Sequence, residues 1–94
     1  MKEEIKPLSD AGKSIKLGTY EHFKGNRYKV IAVGRNSETL EEEVIYKALY
    51  GHNHVWVRPV KSFLEIVEPR EPGAIAKPRF RYIKTWLNFF TKLS

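Results

Sequence analysis

The chain has no cysteine and no apolar run approaching the ~20 residues that a membrane-spanning helix requires. The first absence excludes disulfides and thiolate metal ligands and suits a reducing compartment, so a cytoplasmic location is expected. The second excludes a helical membrane span. The polar opening MKEEIKPLSDAGK also lacks the apolar stretch of a secretion signal. Catalytic signatures are missing as well. There is no G-x-G-x-x-G, no Walker pattern and no G-x-S-x-G elbow, and HFKG at 22–25, with one glycine and one lysine, is too little to cradle a phosphate chain. Histidine is scarce: His22, His52 and His54 are the only three. The spacing of the last two matches no metal-ligand pattern, so no metal and no cofactor is expected.

Acidic residues are in deficit. Seventeen Lys and Arg face eleven Asp and Glu, for a net charge of +6. The surplus is uneven: residues 12–35 and 69–94 each carry +5, whereas 36–50 carry −3. A basic surface of this kind attracts nucleic acid or other polyanions. At 94 residues there is room for one domain with a modest core and little for a deep enzyme cleft.

Three segments are expected: a flexible N-terminal arm over 1–14, a β-rich domain over 15–83 and a C-terminal extension over 84–94. In the domain, IKLGTYEHF (15–23) alternates, with Gly18 as a bend and Gly18, Tyr20 and His22 on one face. Lys24-Gly25-Asn26 supplies a turn, and RYKVIAVG (27–34) reads as the partner strand with Tyr28, Val30 and Ala32 on one face. Residues 35–43 read as a polar loop. The central element is Val44–Pro59, VIYKALYGHNHVWVRP, a hairpin turning over 51–54 and ended by Pro59, which has no amide hydrogen to donate. A helical turn over 60–64, a short strand over 65–68, an irregular Pro/Gly loop over 69–78 and a closing strand over 79–83 follow. In the extension, Ile83, Trp86, Leu87, Phe90 and Leu93 recur at helical spacing, which predicts an amphipathic helix needing something to pack on. The barrel or a second copy of the chain, making a homodimer, is the expected partner.

Most of the aromatic residues must serve the core. Tyr50 and Trp56, beside Arg58 and the cations Lys24 and Arg27, are the best candidates for an exposed platform of the kind that stacks bases or cages cationic groups.

YEHFKGNRYKVIAVGRNSETLEEEVIYKALYG, VWVRPVKSFLEIVE and PRFRYI together resemble a family of small bacterial domains of unknown function. Its pattern runs Y-x-H-[FY]-K-G-N-x-Y-x-V, H-S-E-T-x-E-x-x-V-x-Y-x-x-L-Y-G, W-V-R-P-x-x-x-F-x-E-x-V and R-F. The resemblance covers about 20–83 and implies a compact, mainly β, SH3-like antiparallel barrel. The chain departs from the pattern at Asn36, where histidine is usual, and at Ser62, often methionine. The polar motif positions His22, Glu38 and Arg58 are candidates to meet at one barrel end, either as a structural Arg58–Glu38 pair or as a binding site. The first functional expectation is therefore a non-enzymatic binding module for nucleic acid or a peptide, using Tyr50, Trp56, Arg58, His22, Glu38, Lys24 and Arg27. The alternatives are a homo-oligomeric or docking protein using its tail, and a small hydrolase or metal-dependent enzyme using His22, Glu38 and Arg58.

Overall fold

The computed structural model describes residues 5–84. Its main strands are β1 (Gly18–His22), β2 (Arg27–Arg35), β3 (Glu42–Ala48) and β4 (Val55–Pro59), then, near the end, β7 (Phe80–Tyr82). Between β4 and β7 lie β5 (Ile66–Val67) and β6 (Lys77–Pro78), which pair only with each other. Helices are short: α1 (Asp10–Ser14) and α2 (Val60–Phe63). No helix among the described residues is long and apolar enough to cross a membrane. The amphipathic helix predicted over 84–94 lies, but for its first residue, outside the described residues.

The protein is mainly β, with five antiparallel strands in the order β4-β3-β2-β1-β7. The sheet is not closed into the expected barrel: β4 and β7 remain its edges. β7 is only three residues long and is held by β1 alone, through Tyr20–Tyr82, Glu21–Arg81 and His22–Phe80. Side-chain packing bridges the gap that hydrogen bonding leaves. Phe63 of α2 is 1% exposed and stacks on Phe80 of β7 at 4.3 Å and 6°. The core consists of these two rings with Ile15, Tyr20, Val30, Val44, Tyr46 and Val60. Its rings meet edge to face at 5.2–5.8 Å, as for Tyr20–Phe63 and Tyr46–Phe63, an arrangement that adds about 0.5–1.5 kcal/mol per pair beyond burial.

Strand register sorts the side chains. Directly opposed residues share a face, so the pairs Tyr20–Tyr28, Val30–Tyr46, Tyr46–Trp56, Val44–Arg58 and His22–Phe80 define one inner face. The expected grouping of Tyr28, Val30 and Ala32 holds only halfway. A β-bulge between Val30 and Ala32 leaves Ile31 unpaired, after which Ala32 opposes Ile45 and Val33 opposes Val44. Val33, not Ala32, therefore joins the inner face and packs on the core.

The stretch expected as a loose arm carries α1, capped by the Ser9 hydroxyl, which accepts from Gly12 N at 3.1 Å. Ser9 also ties α1 to β3. Its amide and hydroxyl both donate to the Glu42 carboxylate, at 2.9 and 2.8 Å, and hold the Glu42 carboxyl below the usual range. Arg35 completes the strap, donating from Nη2 to the carbonyls of Lys6 (2.7 Å) and Pro7 (3.1 Å) and from Nη1 to that of Leu40 (2.9 Å). A side chain at Gly12 would collide with the Glu42 carboxylate, which explains the bare backbone there.

Candidate functional site

The inner face gathers one aromatic or cationic side chain from each strand of the sheet. Arg58 enters from β4, Tyr46 from β3, Tyr28 from β2, His22 from β1 and Phe80 from β7. Alternation alone puts Trp56 and Arg58 on this face, because both oppose inner residues of β3. The β1–β2 turn sets His22. Gly25 adopts φ 104°, which a side chain would disfavour, and this lets Gly25 N reach the His22 carbonyl (2.7 Å) while His22 N reaches Asn26 O (2.8 Å).

Phe80 is the hub. His22 lies edge-on to it at 5.0 Å, Tyr28 at 5.7 Å and Tyr46 at 5.3 Å, and the Arg58 guanidinium sits 5.7 Å over its ring. Arg58 donates from Nε to the Tyr46 hydroxyl (3.2 Å) and from Nη1 to the Ser62 hydroxyl (3.0 Å). Both partners are neutral, and none of the four ion pairs among the described residues involves Arg58. A half-buried cation with only hydroxyl partners keeps its charge uncompensated, which makes this corner attractive to an anion.

Electrostatics agree. His22 titrates below its ordinary range, first because it is partly buried, then because Arg58, Arg79 and Lys24 repel a second positive charge. Its Nδ1 accepts from Lys24 N at 3.2 Å, so the neutral ring carries its proton on Nε2. Arg79 pairs with Glu65 (3.1 Å), and its buried Nε has no partner among the described residues. The Tyr28 and Tyr50 hydroxyls share a hydrogen bond of 2.5 Å. Burial and that bond push Tyr28 up to about 12, so it stays a neutral donor or acceptor at any physiological pH.

Of the residues singled out by sequence, four assemble here. Tyr50 and Trp56 stand 44% and 52% exposed at the rim, and His22 and Arg58 line the corner. Lys24 sits beside them in the β1–β2 turn, its ammonium 5.9 Å over the Phe23 ring. Two residues go elsewhere. Arg27 points to the outer face, where it and Arg81 share Glu21 at 3.7 and 2.8 Å. Glu38 is exposed in the β2–β3 turn, where Asn36 Oδ1 caps its amide (2.9 Å), and Arg58 does not pair with it. The constellation of His22, Glu38 and Arg58 that an enzyme would need is therefore not built. The physical reason is the Asn36 cap, which closes the acidic turn on itself, so that Glu42, rather than Glu38, meets an arginine. No group of three or more His, Asp and Glu able to hold a metal ion exists among the described residues, and His52 and His54 are exposed in the hairpin turn, 6.1 Å apart.

Sequence reasoning missed three members of the site. Phe80 was expected only as core. Arg79 was read as part of the closing strand. Ser62, a departure from methionine that was not linked to Arg58, provides a hydroxyl to it. A cleft of about 600 Å³ lies on the strap side of Ser62, between Arg35, Glu42, Val60 and Lys61, and another of about 560 Å³ lies under the 67–77 loop beside Phe23 and Lys24.

Comparison with known proteins adds family and fold. The model of a family described as a protein of unknown function (DUF1653) matches residues 18–82. A crystal structure of a protein belonging to DUF1653 from Bordetella bronchiseptica is similar in fold, with a TM-score of 0.68 and 31% identity, over 77% of this chain and 91% of that one. No curated protein matches the chain.

Proposed function

The chain belongs to the DUF1653 family, and since that membership brings no activity with it, we propose from the geometry above that it is a non-enzymatic binding module. Its inner face takes single-stranded nucleic acid. The observation that carries this reading is Arg58: a half-buried guanidinium whose hydrogen-bond partners among the described residues are two hydroxyls, on the same face as the half-exposed ring of Trp56. A charge waiting for an anion next to a ring waiting for a planar partner is the pairing by which sequence-tolerant strand binders combine phosphate attraction with base stacking. The net charge of +6 favours a polyanion over a peptide. The meander order, with a helical turn before the last strand, supports an SH3-like relationship for the open sheet. A cysteine-free chain of this kind suits the cytoplasm.

The test is direct. A fluorescent single-stranded oligonucleotide should bind in low salt and be released as salt rises, and Trp56→Ala and Arg58→Ala should each weaken it at least tenfold. Binding that ignores both substitutions rules out this face. Capture of an acidic peptide but no oligonucleotide, with the same dependence on Arg58, assigns the face to peptides instead.

A further inference from the structure

We infer that the Phe80 corner holds a single terminal phosphate, so that the inner face receives the phosphorylated end of a strand and not its continuous backbone. This rests on the nucleic-acid reading above and adds to it which part of the strand is recognised.

The first support is convergence. Proteins that track a backbone string cations along a groove. Here the inner face does the opposite: Arg35 is spent on the N-terminal strap, and Arg58 and the neutral His22 both lie against one ring, Phe80, at 5.7 and 5.0 Å. Arg79, next to Phe80 in the chain, is close enough to repel a proton from His22. Several other basic strand residues that could form a track lie on the other side of the sheet. Lys29 opposes Lys47, and Arg27 and Arg81 both flank Glu21, all on the outer face by register. A backbone laid over the inner face would meet one cationic corner and then rings.

The second support is unused donors. Arg58 employs Nε and Nη1 on Tyr46 and Ser62, and Nη2 makes no hydrogen bond among the described residues. His22 employs Nδ1, and Nε2–H of the neutral ring makes no hydrogen bond among the described residues. Two fixed N–H donors beside a permanent cation suit a group with several acceptor oxygens. Among the described residues, the carboxylate bonded near this corner is that of Glu65, which is engaged by Arg79.

The third support is charge. A phosphate monoester carries roughly −1.5 to −2 at neutral pH, against −1 for an internal diester. A half-buried cation with no counter-ion favours the more highly charged group. Trp56 stands two residues before Arg58 on the same face, roughly 7 Å along the strand, so the terminal base falls on its exposed ring.

The experiment compares short single strands that differ only in one end: 5′-phosphate against 5′-hydroxyl, and 3′-phosphate against 3′-hydroxyl, by anisotropy with the label on the opposite end. One phosphorylated end is expected to bind at least tenfold more tightly than its hydroxyl counterpart, with a nucleoside monophosphate competing. Arg58→Gln should remove that preference, so that phosphate-ended and hydroxyl-ended strands bind equally weakly, with an unchanged circular dichroism spectrum. His22→Gln, as a second and milder variant, should reduce it several-fold. Strands that bind equally well with and without either phosphate overturn the inference while leaving strand binding standing. Strands that fail to bind, while a nucleoside monophosphate shifts the His22 ring resonances, overturn the strand reading and uphold the phosphate corner. No response to either ligand overturns both.

Discussion

Two arginines on the same face of the sheet have opposite surroundings. Arg35, at the end of β2, donates to three backbone carbonyls and lies 3.9 Å from the Glu42 carboxylate. Arg58, on β4, donates to two hydroxyls and pairs with no acid among the described residues. Both are partly buried cations at strand positions paired across the sheet, so burial alone does not separate them. Charge balance does. Arg35 is answered by the fold and belongs to the scaffold, since it closes the N-terminal strap. Arg58 is unanswered, and an uncompensated charge is a standing free-energy cost that a ligand relieves. On this protein the difference between framework and site lies in what the cation lacks.

The most forceful way to break the comparison is Arg35→Ala. It should lower stability by about 2–4 kcal/mol, because several charge-assisted bonds and the strap are lost together, and it should leave oligonucleotide affinity unchanged in the folded protein. Thermal and denaturant unfolding read the first part and anisotropy the second; an affinity loss matching that of an Arg58 variant would erase the distinction. Gly12→Ala attacks the same strap from the other side. It drives a methyl group into the Glu42 carboxylate and should cost about 1–3 kcal/mol, again without touching binding. Arg58→Ala should show the reverse profile: at least tenfold weaker binding and a stability loss of about 1–3 kcal/mol, the value of its two hydroxyl bonds.

Acid distinguishes the two regions in order. The His22 pKa is depressed below 6.5, so the fold prefers the neutral ring, and that contribution is present above about pH 6.5 and fades as pH falls through the lowered value. Glu42 is depressed below 4.5 by its two bonds from Ser9, so the strap holds above pH 4.5 and loosens only as pH drops through its own lowered value. Two-dimensional NMR titration should therefore report the Phe80 corner before the strap. The smallest effect expected is an upward move of the His22 midpoint in Arg58→Ala, because removing a repelling cation makes protonation easier. A His22 midpoint that stays where it was would show that the two side chains are not electrostatically joined.

Much of this was visible in the chain itself. Alternation located the main strands, Pro59 marked the end of β4, and the hairpin 44–59 placed Trp56 and Arg58 together because both depend only on local period. What the sequence did not reveal is what depends on distant pairing. His22 and Phe80 meet only because β7 lies against β1, and nothing in either segment announces the other. The barrel expectation failed for the same reason, since closure depends on whether a three-residue β7 can reach β4. Glu38 was chosen over Glu42 because the turn chemistry of Asn36 and the left-handed Leu40 (φ 64°) was unread. The cap on α1 did have a signal, Ser9 directly before Asp10, beside the breakers Pro7 and Gly12.

The bulge at Ile31 has a consequence for how such a chain can change over generations. Ile31 is a supernumerary residue in β2, unpaired and 44% exposed. Losing its codon would restore simple alternation and still leave Val33 opposite Val44 and Arg35 opposite Glu42. β3 has no such slack. Removing Ile45 would turn one half of that strand over, sending either Val44 or Tyr46 to the wrong side and separating the strap from the Phe80 corner. Length variants should therefore be tolerated in one strand and purged from its neighbour, although the two lie side by side.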